Sequence, residues 1–277
     1  MHMKKKYGQR FKDKVVLITG GASGIGLATA LEFAIEGAKI AMVDMDSAML
    51  GIRQKEFEKK GFSLLTVVCD VTDEKACHGA VAACIEKFKV IDILFNNAGI
   101  TQRSLFEKTK ASVIKKVMDV NFFGSLFITQ AALPSIIKQK GTIIVNESVA
   151  GVSPLLGRCG YAASKHAMHG FFTSLRCELR HKGVHVMIVC PGFIKTNLQT
   201  RALGGDGEVT TRKQTIVGKQ QTPEFVGKEI LNGVIRKRSM MVFTVMGKLG
   251  YLISRFWPAL YERLMTRQFK SELNIKT

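Results

Sequence analysis

The sequence predicts an α/β fold: a doubly wound, seven-stranded parallel sheet with helices on both faces, followed by an amphipathic helical extension at the C-terminus. Three observations predict it. Short runs rich in Val, Ile and Leu recur along the chain, and their unbroken hydrophobicity is that of strands buried on both faces. Stretches of helical period separate these runs, which calls for crossover connections and so for parallel strands. The first run leads straight through a glycine-rich turn into a helix, from Val15 to Gly26: Val-Val-Leu-Ile-Thr-Gly-Gly-Ala-Ser-Gly-Ile-Gly.

The elements follow in order. After the strand ending at Thr19, apolar residues Ile25, Leu27, Ala28, Leu31, Phe33 and Ala34 mark a helix that stops at Gly37. A second strand, Lys39 to Val43, ends at Asp44, and a charged helix spans Asp46 to Lys60. The third strand, Leu64 to Cys69, is closed by Asp70-Val71. Thr72-Asp-Glu-Lys then reads as an N-cap with acids in the first turn of a helix reaching Phe88. Ile91 to Phe95 is the fourth strand, terminated by Asn96-Asn97-Ala98-Gly99, and a long helical region containing Asn121 follows. Thr142 to Val145 is the fifth strand, Tyr161 to Lys182 a long helix, and Val184 to Val189 the sixth strand, broken by Pro191-Gly192. Met240 to Thr244 is the seventh. Open parallel sheets bind ligands at the carboxyl ends of their strands. Gly20, Asp44, Asp70, Asn97, Ser148 and Pro191 all fall at such ends and are expected to converge on one crevice.

At 277 residues, 46% of them hydrophobic, the chain can fill a single core. The expected divisions are a basic extension over 1–12, one catalytic domain over 13–244 and a basic amphipathic tail over 245–277. The net charge of +19 would suggest nucleic acid if it covered one face. Instead, residues 1–14 carry six Lys or Arg against Asp13, and residues 236–277 carry nine against Glu262 and Glu272, so +12 of the +19 sits at the two ends. No nucleic-acid partner is expected. No apolar segment follows the N-terminal lysines, so no secretory signal is expected and the location reads as cytoplasmic. Cys69, Cys77, Cys84, Cys159, Cys177 and Cys190 form no Cys-x-x-Cys pair and read as buried thiols in a reducing compartment, with no metal site.

The glycine turn has a chemical use. The first N–H groups of a helix lack partners and the helix dipole is positive there, so both face an anion, and glycines at 20 and 24 let a pyrophosphate come close. The spacing Gly-x-x-x-Gly-x-Gly departs from the commoner Gly-x-Gly-x-x-Gly. Asp44, twenty residues past Gly24, completes the pattern, because a carboxylate there accepts hydrogen bonds from an adenosine ribose. A 2′-phosphate beside it would meet a repulsion of about 4 kcal/mol at 4 Å and an effective dielectric near 20. No Arg or Lys lies in the loop or at Met45, so the cofactor reads as NAD rather than NADP. Further on, Tyr161-Ala-Ala-Ser-Lys165 places a phenol and an ammonium on one helix face. A lysine 4 Å away would favour the phenolate by about 3 pH units at the same dielectric, bringing proton exchange toward neutral pH.

With these residues in place the sequence resembles the short-chain dehydrogenase/reductase family from about Asp13 to Thr244. Thr19 to Gly26 is similar to its Thr-Gly-x-x-x-Gly-x-Gly signature, which implies that Gly20, Ser23, Gly24, Ile25 and Gly26 bind the cofactor. Asp70-Val71 resembles its adenine contact and Asn97-Ala98-Gly99 its sheet stabiliser. Pro191-Gly192-Phe193-Ile194-Lys195-Thr196 resembles the turn whose Ile and Thr positions hold the nicotinamide amide. Asn121, Ser148, Tyr161 and Lys165 match its catalytic tetrad in order and spacing. The resemblance implies that Tyr161 exchanges the substrate proton, that Lys165 lowers its pKa and holds the nicotinamide ribose, that Ser148 binds the substrate oxygen and that Asn121 holds a water. It implies an NAD(H)-dependent enzyme interconverting a secondary alcohol and a ketone on an apolar or lipid-like substrate. A catalytically silent NAD-binding scaffold on the same fold is the alternative. Glu147 stands where the family has a small hydroxyl residue, and strand alternation points it away from Ser148. His166 and His169 flank the Tyr161 face and read as packing residues. Phe122-Phe123 and Phe171-Phe172 lie on the two long helices through which the family forms homodimers or homotetramers, and core packing alone would also explain them.

Two further segments carry expectations. Gln199 to Thr222, with Leu203-Gly204-Gly205-Asp206-Gly207, reads as a mobile substrate lid. In the tail, Leu249, Leu252, Ile253, Phe256, Trp257, Leu260 and Leu264 recur at helical spacing among Lys248, Arg255, Arg263, Arg267 and Lys270. Pro258 should divide it into two short helices, neither able to span a bilayer. The expected roles are a cap over the pocket or a subunit interface, or peripheral binding to an anionic membrane.

Overall fold

The computed structural model describes residues 9–270 apart from 213 and 217, so residues 1–8 of the basic extension and 271–277 of the tail lie outside it. Seven parallel strands, β1 (Val15–Thr19), β2 (Lys39–Asp44), β3 (Leu64–Val68), β4 (Ile93–Asn96), β5 (Thr142–Asn146), β6 (His185–Cys190) and β7 (Met240–Val242), lie in the order β3-β2-β1-β4-β5-β6-β7. The order reverses between β1 and β4, where Val16 stands opposite both Ile40 and Ile93. That reversal opens a crevice at the carboxyl ends of these two strands.

The unbroken hydrophobicity of the strands serves two cores. Val15 and Leu17 of β1 join the core on one face of the sheet, and Val16 and Ile18 join the core on the other. Helices α1 (Gly24–Ile35), α2 (Ser47–Lys59) and α7 (Pro223–Ile235) cover the second face through Phe33, Phe57, Val226 and Ile230. Helices α3 (Glu74–Phe88), α5 (Gly124–Lys138) and α6 (Cys159–Leu179) cover the first through Cys84, Ile128, Ala132 and Phe172. Each fully buried Phe contributes about 1.5–3 kcal/mol.

Several boundaries differ from expectation for local reasons. β4 starts at Ile93, because Asp92 turns its carboxylate to the Val15 N–H (2.9 Å) and the Lys14 ammonium (2.8 Å). β7 ends at Val242, and Thr244 becomes the N-cap of α8 (Val245–Phe256), its Oγ1 accepting from Gly247 N–H at 2.9 Å. Pro258 begins α9 (Pro258–Phe269), so the tail is two helices, as its proline requires. The long helical region around Asn121 is α4 (Ala111–Met118), a single π-helical turn at Asp119–Phe123, and α5. Together 111–138 are long and apolar enough to cross a membrane by length and composition, yet Val117, Ile128, Ala132 and Ile136 are fully buried. Cys159 and Cys177 are exposed rather than buried, because they fall on the outer face of α6, and all six cysteines are free thiols.

Candidate active site

β1 ends at Thr19, and the chain passes through Gly20 (φ +60°) and Gly24 (φ +55°) into α1. A Cβ on Gly20 would stand 2.9 Å from the Ala98 Cα, and one on Gly26 would fall on the Gly20 carbonyl and the Asn97 amide. Only glycine allows this approach. Ser23 occupies the N-cap of α1, but its side chain caps nothing, which leaves the first-turn N–H groups turned toward the crevice. This cradle fits a diphosphate at a helix N-terminus. Opposite it, a Cβ on Gly24 would stand 3.3 Å from the Thr196 methyl, so the turn at 191–196 faces the glycine loop. Ile25, Pro191, Gly192, Ile194 and Thr196 share one cavity with Ser148 and Tyr161.

The remaining cofactor candidates sit at strand ends. Asp44 accepts the Ala22 N–H on Oδ2 (3.0 Å) and the Asp46 N–H on Oδ1 (3.1 Å), which fixes its carboxylate against the glycine loop. Arg53 of α2 donates from Nε to the Ala22 carbonyl at 3.0 Å and from Nη1 to Glu56 at 2.6 Å. A cation therefore does stand beside the loop; a helical residue several turns away in sequence gave no local sign of it. Asp70 folds onto its own turn, accepting from Thr72 N–H (2.9 Å) and Oγ1 (2.8 Å), and Val71 is buried next to Gly124. Asn97 stitches the reversal point: its Nδ2 donates to the carbonyls of Thr19 (3.0 Å) and Gly20 (2.9 Å), while Thr19 Oγ1 accepts the N–H groups of Asn97 and Ala98. Gly99 lies between the two halves of the site, since a Cβ there would be 3.1 Å from Asn121 Oδ1 and 3.7 Å from Lys165 Nζ.

The π-turn directs Asn121 inward, where it is fully buried. Its Nδ2 donates to Ile100 O (3.0 Å) and Ser164 Oγ (2.9 Å), and its Oδ1 accepts from Ile100 N–H (2.8 Å). Asn121 thus ties the segment after β4 to α6. Ser148 follows β5, accepts the Ala150 N–H (3.1 Å), and lines the same cavity as Tyr161, whose phenol it pulls toward lower pKa. Lys165 Nζ donates to the Asn146 carbonyl at 2.8 Å and lies 5.8 Å from the Tyr161 ring centroid.

The electrostatics correct one expectation. Burial raises the Tyr161 pKa above its ordinary 10, against the downward pull of Ser148 and Arg158. Burial also lowers the Lys165 pKa to about 8, so it keeps its charge near neutral pH and loses it only in mildly alkaline solution. Desolvation, which spacing along a helix does not report, sets the direction here. In this arrangement Tyr161 holds its proton near neutral pH.

Glu147 borders the cavity that Ser148 and Tyr161 share, and its carboxylate is engaged with α6 and the turn after Ser148. Its side chain is fully buried, with Oε2 3.0 Å from His169 Nδ1 and Oε1 packed on Gly151 without a hydrogen-bond partner. Burial raises the Glu147 pKa, and the Glu147 hydrogen bond raises that of His169. His169 is thus a partner to a buried acid next to Lys165 rather than a simple packing residue, whereas His166 bonds only the Ala162 carbonyl (2.9 Å). Two supporting residues went unread in the sequence. Asn146 holds Lys165 through its carbonyl and Asn97 Oδ1 through its Nδ2 (2.9 Å), and its place at the end of β5 could have signalled this. Gln102 accepts the Tyr161 N–H on Oε1 (3.1 Å) from a loop with no periodicity to reveal it.

The expected lid is anchored over its first half and again at its end, where Gln221 N–H donates to Phe193 O at 3.0 Å. Arg103 donates to the carbonyls of Gln199 (3.3 Å) and Arg212, Leu203 exchanges backbone bonds with Thr101 and Arg103, and Ala202 is fully buried. The tail closes the far side of the cavity, where Ser254 Oγ donates to Val152 O (3.1 Å), Tyr261 OH to Pro154 O (2.9 Å), and Phe269 packs under Arg158.

Comparison with known proteins agrees with this geometry. The short chain dehydrogenase family profile matches residues 14–204. The chain is similar to Dehydrogenase/reductase SDR family member 7B of Danio rerio, 34% identical over 269 residues, 94% of this chain and 87% of that one. It is also similar to Dehydrogenase/reductase SDR family protein 7-like of Drosophila melanogaster, 32% identical over 270 residues, 95% of this chain and 83% of that one. The crystal structure of gox2181 superposes with a TM-score of 0.74 at 26% identity, covering 84% of this chain and 95% of that one. A glycine-lined crevice at the sheet's reversal point and a matching profile lead to one conclusion: the chain belongs to the short chain dehydrogenase family, a dehydrogenase/reductase with an NAD(P)-binding Rossmann fold.

Proposed function

We propose that this chain is an NAD(H)-dependent oxidoreductase that interconverts a secondary alcohol and a ketone on an apolar or lipid-like substrate. The observation that carries the reading is the shared position of Ser148 and Tyr161 in a cavity of ≈ 600 Å³ whose other walls include Leu155, Phe193, Leu249, Ile253, Leu264 and Met265. Two hydroxyls in a wide apolar chamber suit a substrate with one polar oxygen on an apolar body.

When bound, the cofactor supplies the carbon that gives or takes the hydride. The chain's own residues do the rest. In reduction, Tyr161 donates its proton to the carbonyl oxygen while Ser148 donates a second hydrogen bond to the same atom, stabilising the charge that develops there. Lys165, steadied by Asn146 O and close to Gly99, has N–H groups left that would hold the cofactor's ribose. Asn121 fixes Ile100 and Ser164 so that α6 keeps Tyr161 in place. Asp44 favours NAD, since its carboxylate stands against the loop where a 2′-phosphate would lie, and Glu56 draws off part of the Arg53 charge. Self-association beside α5 and α6 would use Phe123, 40% exposed at the end of the π-turn, while Phe122, Phe127 and Phe171 pack against the core.

The test is NADH and NADPH titration, followed by turnover of aliphatic ketones of rising chain length. The reading expects tighter NADH binding, kcat/KM rising with chain length, and a Tyr161→Phe variant that binds NADH but loses at least about a hundredfold in turnover. NADH binding with no turnover of any ketone would favour the silent scaffold.

A further inference from the structure

A surface helix of a water-exposed protein turns its apolar stripe inward. α8 and α9 carry apolar residues on two sides: Ile253, Met265 and Phe269 face the cavity, and a second apolar stripe faces out. Gly247 is buried and Ser254 is bonded to Val152 O, while Val245, Leu249, Leu252 and Phe256, spaced at helical turns along α8, face out. Trp257, Leu260 and Leu264 continue the exposed stripe through the elbow into α9, and all seven are between 46% and 72% exposed. Such a contiguous apolar patch marks a contact surface.

Charge indicates what it contacts. Residues 245–270 carry Lys248, Arg255, Arg263, Arg267 and Lys270 against Glu262 alone. A second copy docked through the same patch would set these cations against one another, which disfavours self-association there. An anionic surface would meet them. Each helix has 12 residues, about 18 Å, too short to span a bilayer but suited to lie in its interface, with Phe256 and Trp257 at the depth where aromatic rings settle. The patch also coincides with the mouth of the cavity, because Met246, Leu249 and Leu264 are each about half exposed while lining the chamber of Ser148 and Tyr161.

We propose that the α8–α9 hairpin docks this protein on an anionic lipid bilayer and opens the catalytic cavity toward the acyl region, so that an amphiphilic substrate enters from the membrane. The delivery half rests on the apolar-substrate reading above. The docking half does not, and is measured without turnover.

The full chain is sedimented with vesicles of phosphatidylcholine alone and of phosphatidylcholine mixed equally with phosphatidylglycerol. Wild type should pellet with the mixed vesicles and be released by high salt. Phe256→Ser/Trp257→Ser should weaken partitioning at least tenfold, and Lys248→Glu/Arg263→Glu about a hundredfold or more, at unchanged thermal midpoint. Both doubles should keep wild-type turnover of a short water-soluble ketone; only delivery from vesicles should fall. Absence of wild-type binding, or equal binding by wild type and a folded charge-reversal variant, overturns the proposal. So does light scattering that shows an oligomer dispersed by Phe256→Ser/Trp257→Ser, which would make the patch a protein interface.

Discussion

Replacing Lys165 with Met is expected to stabilise the cofactor-free protein while removing its activity. Lys165 is 4% exposed, and burial moves its pKa from the ordinary 10.5 to about 8. At 1.36 kcal/mol per pH unit, holding the ammonium inside the fold costs about 3 kcal/mol whenever the lysine is charged. Met fills similar space beside Met168 and carries no charge, but it leaves the Asn146 carbonyl without its donor, at a cost of about 1 kcal/mol. The net gain near neutral pH is then about 2 kcal/mol, or a rise in Tm of about 4–8 °C for a chain of this size. Its pH dependence separates this cause from simple repacking. The folded-state pKa is depressed, so the folded protein binds the proton less tightly than the unfolded chain, and wild type regains stability as pH climbs from about 8 to 10.5. The advantage of Lys165→Met should therefore be complete near neutral pH and mostly gone by about pH 10. Urea or thermal unfolding of both cofactor-free proteins at the two pH values measures it. A variant less stable than wild type near neutral pH, or a gap that does not change with pH, would refute the reasoning.

Asp44→Ser should shift kcat/KM toward NADPH by about a thousandfold, because it removes a repulsion of about 4 kcal/mol at 4 Å and leaves Arg53 beside Ala22 to meet the phosphate; an unchanged preference would show that Asp44 does not read the ribose. Glu147→Gln should return the His169 pKa toward its ordinary 6.5, since the Glu147 hydrogen bond is the largest influence raising it, and an NMR titration of the ring in which wild type and variant titrate together would contradict the pairing. Wild-type stability drawn from that raised pKa is present below pH 6.5 and fades as pH rises past it, so the Gln variant should lose most at acid pH. Asn97→Ala leaves the Thr19 and Gly20 carbonyls unpaired and should cost about 2–3 kcal/mol in urea unfolding; less than about 1 kcal/mol would mean that the stitch between β1 and β4 is dispensable.

Much of this was legible in the sequence, and the division has physical causes. Strands buried on both faces appear as unbroken apolar runs, so β1 to β6 were found to within a few residues, and Gly20, Asp44, Asn97 and Pro191 could be placed in one crevice by the strand-end rule alone. The tail divided at Pro258 because proline cannot continue a helix. What the sequence could not report was desolvation. Tyr161 and Lys165 sit four residues apart as read, but burial, which depends on what lies over them, reverses the expected direction of the phenol's pKa. Long-range polar partners were equally silent: Gln102 reaches Tyr161, Arg53 reaches Ala22 and His169 reaches Glu147 only once the sheet has assembled. The lid segment looked mobile from its glycines and threonines, and Arg103, almost a hundred residues earlier, pins it.

The central claim is that this chain moves a hydride between a nicotinamide and a carbon whose oxygen is held by Ser148 and Tyr161. It is tested most directly by single-turnover transfer of deuterium from C4-deuterated NADH into a ketone the wild type accepts, read by mass spectrometry of the alcohol. The account predicts near-stoichiometric label in the wild-type product and at least about a hundredfold slower labelling in Tyr161→Phe, with NADH affinity equal in the two proteins. Equal labelling by the two proteins would contradict it.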